Sequence, residues 1–177
     1  MKLKKVLIIL PLILLYTGCA SAPPPKEAVC PEWTMKGDAA FPESTDLFYG
    51  VGDASDISNI SLLRKTSDSR ATNEIAQQLN VKSKSMMEDY MNSVSAAGGE
   101  ANEQAVTQGI KTMVEKSLVG VKIIDRCHDK EAGVHYSLAK FSMENMKKIM
   151  DEQGDMDPKL KEYVKENANK FFEKMDK

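Results

Sequence analysis

VGVKIIDRCHDKEAGVHYSLAKF, residues 119–141, is the stretch on which the fold turns. Two runs rich in β-branched and aromatic residues, 119–127 and 134–141, flank the turn-forming cluster Asp129, Lys130, Glu131, Ala132 and Gly133. Such side chains fit a pleated, half-buried surface, and a short polar segment ending in glycine lets two runs fold back on each other. The stretch therefore reads as an antiparallel hairpin.

Working outward, LFYGVG at residues 47–52 has the same composition and is followed by turn formers at Asp53, Ser55 and Asp56, so it reads as a further strand. Between 59 and 80, Ile60, Leu63, Ser67, Ala71, Ile75 and Leu79 recur at spacings of three and four, the signature of an amphipathic helix with a small-residue middle suited to close approach to a sheet. Residues 81–94 open with the alternating series Val81, Lys82, Ser83, Lys84, Ser85 and read as a strand with one wet face. AAGGE at 96–100 breaks the pattern, and a second helix runs over about 101–118 with Val106, Ile110, Met113, Val114 and Leu118 as its inner stripe. After the hairpin, 143–152 reads as helical, Gly154 and Pro158 punctuate, and 158–175 carries Leu160, Tyr163, Val164, Phe171 and Phe172 mostly on one side. The expected class is α+β: a small, mostly antiparallel sheet packed by two helices, in the order strand, helix, strand, helix, hairpin, with an added C-terminal helix that either caps the core or projects towards a partner.

The beginning of the chain carries different information. Lys2, Lys4 and Lys5 precede an apolar run over residues 6–16, broken only by Pro11. That order belongs to a secretion signal. Eleven residues are too few to cross a hydrocarbon core of about 30 Å as a helix. Thr17, Gly18, Cys19, Ala20 and Ser21 then place small residues around a cysteine, which resembles a lipobox, with Tyr16 where an aliphatic residue is usual. A cysteine is needed there because its thiolate is the side-chain nucleophile best suited to take up a diacylglycerol group. The expected organisation is a signal over 1–18, a tether over 19–29 containing Pro23, Pro24 and Pro25, a domain over 30–152, and an amphipathic helix over 153–177. Ala20, rather than Asp, after the cysteine points to the outer membrane, with the domain in the periplasm.

Over the whole chain 24 Lys and Arg face 26 Asp and Glu, and loss of the signal with its three lysines moves the net charge from −2 to −5. Nothing in that balance suggests a nucleic-acid partner. With Cys19 acylated, Cys30 and Cys127 remain as a candidate pair; a disulfide between them and two buried free thiols are both open from the sequence.

The order of elements, with YGVGDAS opening it, RATNEIAQQLNVKSKS in the middle and LVGVKIIDRCHDKEAGVHYSLAKF closing it, resembles the small LPP lipoproteins of about twenty kilodaltons, relatives of the flagellar lipoprotein FlgP and of the N-terminal domain of FlgT. The likeness spans about residues 30–150. It implies an outer-membrane or periplasmic lipoprotein with an α+β domain, no catalytic role and no active-site residues to transfer. Some relatives assemble into rings or disks at the flagellar base. The tail after Gly154 is a departure from the pattern, as is Cys127 where an aromatic residue often stands.

Three chemical readings stand beside this one. Cys127, His128 and His135 could serve a thiol nucleophile or a metal, but neighbouring strand residues point to opposite faces, which separates Cys127 from His128 and leaves two surface histidines. Gly50 and Gly52 suggest a dinucleotide loop, yet Ser55 stands where the third glycine belongs, and a strand end under close backbone approach accounts for them better. Met86, Met87, Met91, Met143, Met146 and Met150 read as core or interface filling rather than as soft-metal ligands. The expectation is a non-enzymatic envelope lipoprotein without cofactor or metal, anchored through Cys19, with envelope protein partners or copies of itself; the alternative is a binding module for a small envelope ligand.

Overall fold

The hairpin forms, displaced a little towards the C-terminus. β2 (Lys122–Asp129) and β3 (Val134–Ser142) pair antiparallel, with Gly133 at φ +67° in the turn and the Asp129 carboxylate accepting the Glu131 and Ala132 N–H groups. β1 (Leu47–Ala54) joins the free side of β3, giving a three-stranded antiparallel sheet in the order β1-β3-β2. The computed structural model describes residues 30–43, 46–152, 154 and 156–172, so the expected signal and the whole of the expected tether lie outside the described residues.

One expectation is overturned. Residues 81–94 are not a strand: α2 runs unbroken from Ile60 to Ala96, about 55 Å at 1.5 Å per residue. Its buried stripe continues through Leu79 with Ser83, Met86 and Tyr90 at helical spacing, while Val81 is half exposed. The alternation over 81–85 misleads because the buried member of each turn is often Ser or Ala, which hydropathy does not distinguish from a solvent-facing residue. No Gly or Pro interrupts the helix before Gly98. There it ends: Gly98 adopts φ +72°, its N–H bonds to Ser95 O, and Gly99 N–H reaches Val94 O. At the other end Asn59 caps, its side chain accepting the Ser61 and Leu62 N–H groups. The order of elements is therefore strand, helix, helix, hairpin.

α3 (Glu103–Val119), capped by Asn102, returns along α2, and α4 (Met143–Glu152) follows β3 directly. The expected tail helix is two pieces, α5 (Pro158–Glu166) and α6 (Ala168–Phe172), separated at Asn167. It caps the core instead of projecting, since Leu160, Val164 and Ala168, each four residues on, are buried in the same cluster as Ile75, Ile110 and Phe141. Residues 173–175 of that expected helix lie outside the described residues. Of the six methionines read as core or interface filling, Met86, Met143, Met146 and Met150 are buried there and Met87 and Met91 pack against the cluster partly buried, while Met113 and Met156 join the core as well.

The two faces of the sheet have different covers. Phe48, Gly50, Gly52, Ala54, His135, Ser137, Ala139 and Phe141 are cross-strand partners and share the face under α2. Tyr49, Val51, Tyr136, Leu138 and Cys127 belong to the other face, covered by an N-terminal strap made of α1 (Trp33–Lys36) and a 3-10 turn (Gly37–Ala40). Trp33 is buried there, its Nε1 donating to Asp125 Oδ2 at 3.1 Å, and Phe41 stacks on Tyr49 with ring centroids 3.9 Å apart.

Candidate functional site

Cys19 lies outside the described residues. Cys30 and Cys127 are joined by a disulfide, with alpha carbons 5.7 Å apart, across 97 positions of sequence. The bond fastens the point where the tether enters the domain directly to β2.

The expected separation around Cys127 holds: it lies on the strap face, while His128 stands opposite His135 on the α2 face. The expectation of two surface histidines fails for one of them. His128 is exposed, but His135 is 5% exposed, with its Nδ1 and Nε2 making no hydrogen bond. The cause is register: pairing with Ala54 puts the His135 ring under α2.

Beside it lies a polar cluster that sequence reasoning missed. Arg126 donates through Nε and Nη2 to the two Asp68 carboxylate oxygens at 2.9 Å each, and Ser137 donates to Asp68 Oδ1 at 2.7 Å. The fully buried hydroxyls of Ser67 and Ser137 are 2.8 Å apart. Burial would raise the Asp68 pKa, but the hydrogen bonds from Arg126 and Ser137, helped by the Arg126 charge, hold it below the ordinary carboxylate value. Burial pushes the His135 pKa down, and the nearby His128, Arg64 and Arg126 push the same way against Asp68. Ser67 within the apolar stripe of α2 was the available signal for a buried polar contact; nothing local marked Arg126 and Ser137, which lie 58 to 70 positions from Ser67 and Asp68.

Gly50 and Gly52 line no loop. A Cβ on Gly52 would stand 2.2 Å from Ala71 N and 2.3 Å from Ser67 O, and one on Gly50 2.4 Å from Ala71 O, so these glycines let α2 lie directly on β1. Among the described residues no group of three or more His, Cys, Asp or Glu side chains is placed to hold a metal ion, and no helix is long and apolar enough to cross a membrane. An open groove of about 500 Å³ runs between the end of α3 and α4, lined by Lys116, Val119, Gly120, Asn145, Lys148, Ile149 and Glu152.

These features define a class: a small α+β domain with a helical cap on one sheet face and a disulfide-fastened strap on the other. The family model of the LPP20 lipoprotein matches residues 31–142, from the strap through β3, and the chain belongs to that family. It is thus a bacterial lipoprotein, associated with a membrane of the envelope. Helices α4 to α6, which begin at Met143, lie wholly beyond the matched segment. No curated protein matches the chain.

Proposed function

We propose that this lipoprotein is a non-catalytic structural or assembly module, held at the outer membrane by acyl chains on Cys19 with its domain in the periplasm, and engaging envelope proteins or copies of itself in a complex such as the flagellar base. The observation that carries the reading is the cysteine in its small-residue setting at 17–21, directly after a short apolar run and ahead of a lipoprotein-family domain. Two or more acyl chains give stable attachment, each buried CH₂ contributing about 0.8 kcal/mol. A tether rich in proline then keeps the domain clear of the bilayer surface.

Mass spectrometry of the N-terminal peptide from producing cells should find Cys19 as an acylated first residue, and Cys19→Ala should move the protein out of the membrane fraction. Crosslinking of the full-length lipoprotein in those cells should capture discrete higher-mass species. A chain that crosslinks to nothing and is monomeric after mild extraction would end the assembly reading.

The groove favours a second reading, a binding module for a small envelope ligand. Val119, 88% exposed, and Ile149 offer apolar surface there, beside the Lys116 and Lys148 ammonium groups. Native mass spectrometry of protein extracted from its own cells should then show a retained mass that Val119→Asp removes.

A further inference from the structure

His135 is a buried titratable side chain to which neither the fold nor the proposed role assigns a task. It stands at the end of the sheet near the start of α2, opposite Ala54, the last residue of β1, and opposite His128 of β2, whose ring centroid is 5.8 Å away. The groups that face it are His128 and Arg126 from β2, and Arg64 and Asp68 from α2, while β1 presents Ala54. Asp68 is the acid among them, and it is already engaged: Oδ1 accepts from Arg126 Nε and Ser137 Oγ, and Oδ2 from Arg126 Nη2.

We propose that His135 is an acid-sensitive clasp between α2 and the turn end of the β2–β3 hairpin, closed while the ring is neutral and released when it takes a proton. A proton would place a cation at a site where neither ring nitrogen has a hydrogen-bond partner and the facing acid, Asp68, is already bonded to Arg126 and Ser137, opposite two guanidinium groups and a second imidazole; burying a poorly paired charge is costly enough that the elements around it part instead. The same guanidinium groups disfavour a divalent cation between the two imidazoles.

The direction follows from linkage. The folded-state pKa of His135 lies below the ordinary histidine value, burial being the first cause. An unfolded or opened chain therefore takes up the proton first, near pH 6.5. The clasp contributes fully above that pH and weakens as pH falls towards the folded-state value, by up to about tenfold in the closing equilibrium per pH unit. Release is local. Cys127, next to His128 but on the other face, stays bonded to Cys30, so β2 remains fastened to the strap while its α2 side opens. The cluster around Met146, Met150 and Leu160 contains none of these groups.

Hydrogen exchange on the full chain, expressed as protection factors corrected for the pH dependence of intrinsic exchange, tests the device at pH 7.5, 6.0 and 5.0. Protection over residues 61–71 and 126–137 should fall tenfold or more between pH 7.5 and 5.0, while α4 keeps its own. His135→Phe should remove the fall. Constant protection in the unsubstituted chain, or an undiminished fall in His135→Phe, overturns the proposal. Should that variant fail to fold, NMR titration of the His135 ring in the unsubstituted chain decides: titration below the ordinary histidine range supports the clasp, and titration at or above it removes it.

Discussion

At the residue scale, the most consequential side chain is Asp68. It accepts from Arg126 on β2 and from Ser137 on β3, so one carboxylate ties the central strand, an edge strand and α2 together. Removing it leaves the Arg126 guanidinium without its acceptor and the Ser137 hydroxyl with only Ser67 Oγ, a cost of about 1–3 kcal/mol that partial solvent access to Arg126 moves to the lower end. Asp68→Ala should therefore lower unfolding stability by about 1–2 kcal/mol in a urea titration at pH 7. The same residue gives a pH signature. Its folded-state pKa lies below the ordinary value, because the hydrogen bonds from Arg126 and Ser137 overcome the effect of burial. Its contribution is complete above the unfolded-state pKa, about 3.9, and disappears as pH falls through the lower folded-state value. Urea midpoints measured from pH 5 to 2.5 should show a component of acid loss that Asp68→Asn lacks.

At the element scale, the seating of α2 on β1 depends on two missing side chains. A methyl on Gly52 meets backbone of α2 on both sides at 2.2 and 2.3 Å, and backbone cannot swing aside as a flexible side chain can. Gly52→Ala should cost about 3 kcal/mol by lifting α2 off the sheet, and Gly50→Ala should act in the same direction. Gly98→Ala tests a different mechanism, since φ +72° with open space around it strains only the helix end; about 1 kcal/mol is expected. Thermal unfolding of the three variants should rank them in that order. Both edges of the sheet are blunted. Gln78 and Arg70 of α2 donate to the Tyr49 and Asp53 carbonyls of β1, and β2 carries a register shift between Ile123 and Asp125 together with exposed charged residues. Such edges resist strand addition, so self-association of the kind proposed would proceed through helical faces.

At the scale of the whole molecule, two distant connections close the structure. The Cys30–Cys127 bond spans 97 positions, and chain-entropy reasoning assigns a loop near that length up to about 4.7 kcal/mol, with 2–4 typical. Reduction, or Cys30→Ser with Cys127→Ser, should lower stability by about 2–4 kcal/mol and make the strap the first site of proteolysis, as read by peptide mapping. At the other end, Met156, Leu160, Val164 and Ala168 cover the main core. Ending the chain at Glu152 would expose that apolar surface, and the truncated protein should bind a hydrophobic dye and aggregate where the full chain does not.

Much of this was legible in the residues alone. The hairpin, β1, the first half of α2, α3 and the helical cap each declare themselves through local periodicity, turn formers and breakers, because those signals come from neighbours a few positions apart. The strand expected at 81–94 failed for the complementary reason: Val81, Lys82, Ser83, Lys84 and Ser85 alternate in hydropathy, but Ser83 and Met86 are buried on one face of a helix against which α3, α5 and α6 pack. From the residues alone came the α+β class, the proposal of Cys19 as an anchor and the candidate pairing of Cys30 with Cys127. That the two cysteines meet, that Asp68 holds Arg126 and Ser137, and that His135 is buried came from the folded chain, since the strap on one sheet face and α2 on the other bring together residues far apart in sequence.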